Sequence, residues 1–316
     1  LIDCNNYFLR NFTYVFIIIF LIALFDAYYQ NFYEVNIFGI STELNSRLVL
    51  LFNDQAYLGG YLSRLVPLLI GLIIFIFYLN KNRTYLFVCL LLILTDVAVY
   101  LSGERTAIVL LLIASLSIII FIRNFRLIRI ITLMISVFIV FLFSIFDSEL
   151  KNRNIDATYN QIFQQKQGKI AIFSTHHESH YITAFRMFKD KPILGHGPNS
   201  FRYACNIEKY NYDERSCSTH PHNIYIQLAA EIGIIGLLVF LIFPIYIFYL
   251  LICHFLSHFS IKFKKISDFE VCLITAFILT VFPFLPSLNF FNNYINIIYY
   301  LPIGFFLYSY NMNKDK

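Results

Sequence analysis

Apolar residues in this chain run in unbroken blocks, parted by short polar turns, where a soluble helix would show one apolar stripe and a strand would alternate. A block of about 20 such residues, coiled as a helix, crosses the hydrocarbon of a bilayer. The blocks at 11–29, 61–79, 84–101, 106–122, 127–146, 223–252, 269–288 and 294–311 predict eight spanning helices. The expected fold is therefore all-α, a polytopic transmembrane bundle with one large interruption. Residues 1–146 carry the first five spans, 147–221 a loop domain outside the membrane, and 222–316 the last three spans. Segment 37–52 has a different period. Ile40, Leu44, Leu48 and Phe52 recur every fourth position, with Glu43 and Arg47 between them. That suits either a helix lying in the interface or a short span.

Composition agrees. Hydrophobic residues make up 59% and charged residues 14%, against about 45–50% and about 25% in soluble domains. Tryptophan is absent, so tyrosine must supply the interfacial aromatic belt. Tyr28, Tyr29, Tyr57, Tyr61, Tyr78, Tyr85 and Tyr100 lie near block ends as that requires. The charges then give orientation. Lys81 and Arg83 share one turn, Arg123, Arg126 and Arg129 another, Lys262, Lys264 and Lys265 a third, and Lys314 and Lys316 end the chain. With eight spans all four fall on one side, with Arg10, and positive charge marks the cytoplasmic side. The net charge of +5 is thus a topology signal and does not point to nucleic acid. The chain starts at Leu1 and shows no signal peptide, which reads as missing N-terminal residues.

The opposite, outer side receives 147–221, where ten Lys and Arg face eight Asp and Glu. His176, His177, His180, His196, His220 and His222, six of the eight histidines, lie there or at its edge. A loop of this length is expected to hold short helices and to be functional. Cys205 and Cys217 are expected to pair in an oxidising compartment, contributing on the order of 3 kcal/mol. Cys4, Cys89, Cys253 and Cys272 read as small apolar residues. His176 and His180 would share a helix face, with Glu178 nearby, but no HExxH and no paired CxxC accompany them, so no metal site is read.

Three places hold polar groups that a membrane bundle does not need. In Ser102-Gly103-Glu104-Arg105-Thr106, Arg105 would begin the fourth span, where the helix dipole favours anions. An anionic ligand would explain it; so would a cation snorkelling into headgroups. Arg186 through Gly197, RMFKDKPILGHG, reads as a short helix closed by a tight turn. In His220-Pro221-His222-Asn223, His222 sits at the start of the sixth span, where the positive helix end favours the neutral ring. A neutral imidazole there can accept a hydroxyl proton. Asn223, Gln227 and Glu231 follow at intervals of four, a polar stripe on a membrane helix. An ionisable group at that depth, Glu231 or Asp96 in the third span, reads as functional. Ala229, Gly233 and Gly236 read as small residues for close helix packing.

At these residues the chain resembles the O-antigen ligase and O-antigen polymerase superfamily of bacterial membrane glycosyltransferases. His222-Asn223, nine residues, Gly233, two residues and Gly236 satisfy the ligase motif. Arg186, ten residues and Gly197 fit the polymerase motif. The SGERT turn resembles the family's outer arginine, and Arg47 to Arg64 the segment ahead of a span. Members have about a dozen spans, so eight would leave several N-terminal ones out. The resemblance implies transfer of a glycan from undecaprenyl pyrophosphate to a hydroxyl of lipid A core, without metal or cofactor, at the periplasmic face of the inner membrane. It makes Arg105 and Arg186 diphosphate contacts, His222 the base, and Asn223, Glu231, Gly197 and His220 substrate-binding residues. A polymerase, with a second glycan repeat as acceptor, differs only in that acceptor. A transporter or flippase without covalent chemistry would instead line a path through the membrane with charge; here the polar groups gather toward one side.

Overall fold

The computed structural model describes residues 6–40, 47–49, 57–77, 82–163 and 173–312. In chain order its helices are α1 (Asn6–Tyr33), α2 (Leu58–Phe77), α3 (Asn82–Leu101), α4 (Arg105–Phe121), α5 (Arg126–Phe146), α6 (Ser148–Lys151), α7 (Ala157–Phe163), α8 (Thr175–Asp190), α9 (Phe201–Ala204), α10 (Ile224–Leu256), α11 (Asp268–Thr280) and α12 (Asn293–Met312). Among the described residues there is no strand. Among the described residues five helices are long and apolar enough to cross a membrane: most of α1, α2, most of α3, α5 with the turn before it, and α10; α4 is apolar but shorter. Most of segment 37–52 lies outside the described residues, as do Tyr78, Lys81, Lys314 and Lys316. The chain forms two compact units. The first comprises Leu1–Tyr159, Cys253–Leu279 and Leu301–Lys316, the second Asn160–Ile252 and Thr280–Tyr300.

In the first unit α2 is the most enclosed helix, packed by α1, α3 and α4 and buried from Leu58 to Ile73 apart from Tyr61. Gly71 lets α11 approach, for a Cβ there would lie 2.7 Å from the Cβ of Cys272. Across α3, α4 and α5 runs a buried polar knot. Arg129 Nη1 and Nη2 donate to the two Asp96 oxygens at 2.8 Å each, Arg129 also donates to Ser115, and Ser136 donates to Asp96 at 2.8 Å. Arg129 is only 1% exposed. It is not the loop charge that its neighbours Arg123 and Arg126 suggest, and Asp96 is the anion that allows it to be buried. A bidentate pair with its hydroxyls satisfied holds three helices in register; cutting either partner would leave a buried charge alone.

In the second unit α8, α9 and the start of α10 enclose a small core of Ala184, Met187, Phe201, Ala204, Cys205, Tyr210 and Ala230. Cys205 and Cys217 are joined by a disulfide at its edge. The block read as a span over 269–288 is helical only to Thr280. Pro283 and Pro286 lack the N–H that a helix needs and push the residues before them out of helical geometry. Residues 281–292 therefore form a non-helical strap, whose carbonyls become acceptors for the residues at the head of α10.

Candidate functional site

The head of α10 collects four histidines. His222 takes a positive φ of 58°, which ends the preceding loop and frees Asn223 to cap the helix. The Asn223 Oδ1 accepts from the N–H groups of Tyr225 and Ile226 at 3.0 and 3.1 Å, while its Nδ2 donates to the Pro283 carbonyl at 2.8 Å. An amide so placed satisfies two orphan donors of the first turn. Expected to bind substrate, it is here engaged at both ends within the chain.

The His222 ring lies 4.1 Å from that of His220 and 5.4 Å from those of both His177 and His180, centroid to centroid. His177 and His180 sit three apart on α8, hence on one face. His220 is pinned on both sides: Nδ1 meets Thr219 Oγ1 at 3.0 Å, and Nε2 meets the Ser287 carbonyl at 3.1 Å. A carbonyl only accepts, so Nε2 carries the proton. His222 Nε2 lies 3.1 Å from Ser218 Oγ. Burial pushes His222 down to about 3, the neighbouring imidazoles adding to it. Burial pushes His220 down to about 4, against the pull of its bond to Ser287. Both are neutral at pH 7. The expected neutrality is met, with desolvation as its main cause.

Below the cluster the polar stripe of α10 points at loops. Gln227 Nε2 donates to Asn289 Oδ1 at 2.7 Å and to Glu231 at 3.1 Å, and Gln227 Oε1 accepts from the Phe290 N–H at 3.0 Å. Glu231, fully buried, accepts from the N–H groups of Phe201 and Asn199 at 2.9 and 3.1 Å. Its carboxylate thus anchors the turn after α8. At Gly233 the helix breaks, with φ 69° and ψ −173°. The carbonyls of Ala230 and Glu231 accept from the N–H groups of His196 and Gly197 at 3.2 and 2.7 Å. The N–H of Ile234 donates to the Pro192 carbonyl at 2.8 Å, and that of Ile235 reaches Ile193 at 3.5 Å. The turn 192–197 is thus plugged into the gap in α10. Side chains are impossible at the seam. A Cβ on Gly233 would fall 2.1 Å from the Ile193 oxygen, and one on Gly195 2.4 Å from the Glu231 carbonyl carbon. The close approach at Gly233 is therefore of a loop, not of a second helix, and the space beside Gly236 is taken by Ile232 of its own helix. Gly197, with φ 101°, faces open space.

Arg186 lies elsewhere on α8. Six residues at roughly 100° each put it about 120° round the helix from His180. Its guanidinium donates to the Asn211 carbonyl and rests 5.3 Å from the Tyr212 ring centroid. The cation whose charge acts on His220 and Glu231 is Arg202; its Nη2 donates to Asn199 Oδ1 at 3.2 Å. Sequence reading missed Arg202, Ser287 and Asn289. Only the paired prolines, FPFLPS, hint that 281–292 leaves the membrane pattern to reach the site.

Arg105 belongs to the first unit, at the corner between α3 and α4. There the Glu104 carboxylate accepts from the Gly59 and Gly60 N–H groups at 2.6 and 3.1 Å. It sits at the amino end of α2, where the dipole welcomes an anion. Burial pushes its carboxyl up to about 7, against those N–H groups and the charges of Arg64 and Arg47. Arg105 Nη1 reaches Thr158 at 3.5 Å, and Arg153 donates to the Gly103 carbonyl at 3.1 Å. Arg64 and Arg47 thus act on the Glu104 carboxyl, and Arg105 lies near enough to Arg47 to feel its charge. No group of three His, Cys, Asp or Glu able to hold a metal occurs among the described residues.

These features define a multi-helix membrane protein whose second unit carries a histidine cluster over a broken apolar helix. The O-antigen ligase family model matches residues 87–241, the stretch that holds Arg105, Arg186, Gly197, His222 and Gly233, and so shows the resemblance read from the motifs. A Rickettsia felis protein provisionally named a polysaccharide ligase is 32% identical over 105 residues, covering 32% of this chain. The match spans only 24% of that relative. Both findings support a function of the ligase or polymerase type.

Proposed function

We propose that this chain transfers a glycan from undecaprenyl pyrophosphate to a hydroxyl of lipid A core at the periplasmic face of the inner membrane. The observation that carries the proposal is His222, a half-buried neutral imidazole at the head of an apolar helix, inside the stretch matched by the O-antigen ligase family. The acceptor hydroxyl attacks the anomeric carbon of the donor sugar. Its proton passes to His222, the bond from that carbon to the diphosphate oxygen breaks, and undecaprenyl pyrophosphate leaves. A ring held near 3 is a weak base by itself. The negative charge of a donor diphosphate beside it favours the imidazolium and raises its basicity, so proton transfer is favoured when the donor is in place.

Arg105 and Arg186 are the proposed diphosphate contacts. A guanidinium has five N–H donors, and the bond from Arg186 to Asn211 uses one of them. Fixed cations stabilise the charge that gathers on the leaving group. Gly197, His220, Asn223 and Glu231 shape the site by holding the turn, the strap and the helix head together. The polymerase reading keeps one supporting observation, because the Arg186–Gly197 segment is bonded directly into the His222–Gly233 segment. Proteoliposomes given a lipid-linked glycan with either lipid A core or a second lipid-linked repeat decide between them. Transfer to core alone supports the ligase, transfer to the repeat the polymerase, and transfer to neither defeats both.

A further inference from the structure

In the loop between α10 and α11, Phe259, Ile261 and Phe263 alternate with Ser260, Lys262 and Lys264, and Lys265 follows. Phe259 is 76% exposed and Ile261 fully so. We propose that this loop and the α4–α5 turn beside it form a seat for anionic phospholipid. The apolar side chains enter among the acyl chains, and the cations hold the headgroup phosphate.

Placement comes from the first unit alone, to which all these residues belong. The short turn Arg123–Phe125 joins the apolar helices α4 and α5, so it lies at an edge of the membrane. The loop is tied to that turn. Arg123 Nη2 donates to the His258 carbonyl at 3.3 Å. His254 Nδ1 accepts from the Ile266 N–H at 3.2 Å, which leaves the proton on Nε2, and Nε2 donates to the Phe121 carbonyl at 3.0 Å. Held at His258 and Ile266, the residues between them turn outward, and Lys262, Phe263, Lys264 and Lys265 are exposed as well. Lys264 Nζ rests 4.0 Å from the centroid of the Tyr310 ring, a cation–π contact that holds the loop against α12.

Charge then selects the partner. Residues 105–146 and 232–267 contain no Asp or Glu. Arg129 has its partner in Asp96, but Arg123, Arg126, Lys262, Lys264 and Lys265 form no salt bridge among the described residues. Asp268, which opens α11, is an acid that feels Lys265; it cannot offset all five cations. The positive-inside rule explains why such cations gather on one side. It does not explain a fully exposed isoleucine and a phenylalanine among them. Exposed apolar residues rimmed by charge mark an interaction surface. Zwitterionic lipid would cover the apolar residues and leave the cations unmatched, and a soluble anion would do the reverse. A lipid with a negative headgroup answers both, because basic segments are drawn to an anionic surface while apolar side chains enter the headgroup–acyl boundary.

The chain has no tryptophan, so Phe259→Trp places a single indole on the loop. The whole protein is reconstituted in vesicles of phosphatidylcholine and phosphatidylglycerol, with one lipid or the other brominated in its acyl chains to quench an adjacent indole. Phosphatidylglycerol should occupy the site about tenfold more tightly than phosphatidylcholine at low salt, and the preference should shrink at high salt, which screens exposed charge. Adding Lys262→Gln, Lys264→Gln and Lys265→Gln should remove the preference and keep quenching by phosphatidylcholine, which shows the loop still seated in lipid. Phe146→Trp, at the opposite end of α5 and 84% exposed in the parent, should show no preference. Equal quenching by the two lipids beside the loop, or a preference that survives loss of the three lysines, would overturn the proposal. Quenching by neither would place the loop in water or against a protein and overturn it too.

Discussion

At the corner between α3 and α4, burial pushes one carboxyl up to about 7 against the charges of Arg64 and Arg47. At the head of α10, burial pushes two imidazoles down and leaves them uncharged. The first region gathers arginines around a carboxyl poised near neutrality. The second has proton acceptors at the cost of charge. Desolvation penalises whichever form is ionised, so a single buried site can hardly offer both a strong cation and a neutral base. The proposed transfer needs both, and in the second unit Arg202 is the cation whose charge reaches His220.

The sharpest way to break that contrast is His222→Ala. Transfer from a lipid-linked glycan should fall by about 10²–10⁴-fold, the usual share of a positioned base, with the protein still recovered from membranes. Activity equal to wild type would remove proton transfer from the second unit. Next in size is Gly233→Ala. It forces a side chain into the Ile193 carbonyl at a positive φ, and strained backbone alone costs about 1–3 kcal/mol. Unfolding of detergent-solubilised protein should shift to lower temperature, and hydrogen exchange should rise in 192–201 while the Asp96–Arg129 knot stays protected. Uniform loss of protection would refute a local seam.

Arg105→Lys should lower transfer about tenfold, since a point charge cannot make a two-pronged phosphate contact. Full activity in the Lys variant would mean that charge alone suffices at the corner. The smallest effect is in pH. Histidines whose folded pKa is depressed bind fewer protons folded than unfolded, so their contribution is present above about 6.5 and lost as pH falls toward 4. Glu104 runs the other way: a folded pKa raised to about 7 stabilises below about 4.5, and that gain fades as pH rises through 7. Thermal unfolding from pH 7 to 4.5 should therefore be flatter in His220→Asn and steeper in Glu104→Gln than in the parent. Identical slopes in all three would show that neither group controls acid stability.

The apolar blocks from 61 to 146 were legible because twenty like residues in a row carry their own message. Arg129 was not. It stands beside two exposed arginines, and nothing local reveals an Asp96 partner 33 positions away. The strap at 281–292 was hidden by its own phenylalanines, which kept hydropathy high through two prolines. His222 was legible because its chemistry is written in adjacent residues, yet its companions His177 and His180 come from α8, and spacing along one helix does not say which neighbour it will face. Gly233 was the least legible. A glycine in an apolar run reads as helix packing, and its real partner is the backbone of residues 192–197.

That seam also has an order in time. Ala230, Glu231, Ile234 and Ile235 would expose bare peptide groups at the edge of the bilayer until the turn reaches them, and such groups cost several kcal/mol each in lipid. Residues 192–197 precede the break in the chain, so translation delivers the filling before the gap it must fill. A permuted chain that made α10 first would have to insert a helix with a hole in it.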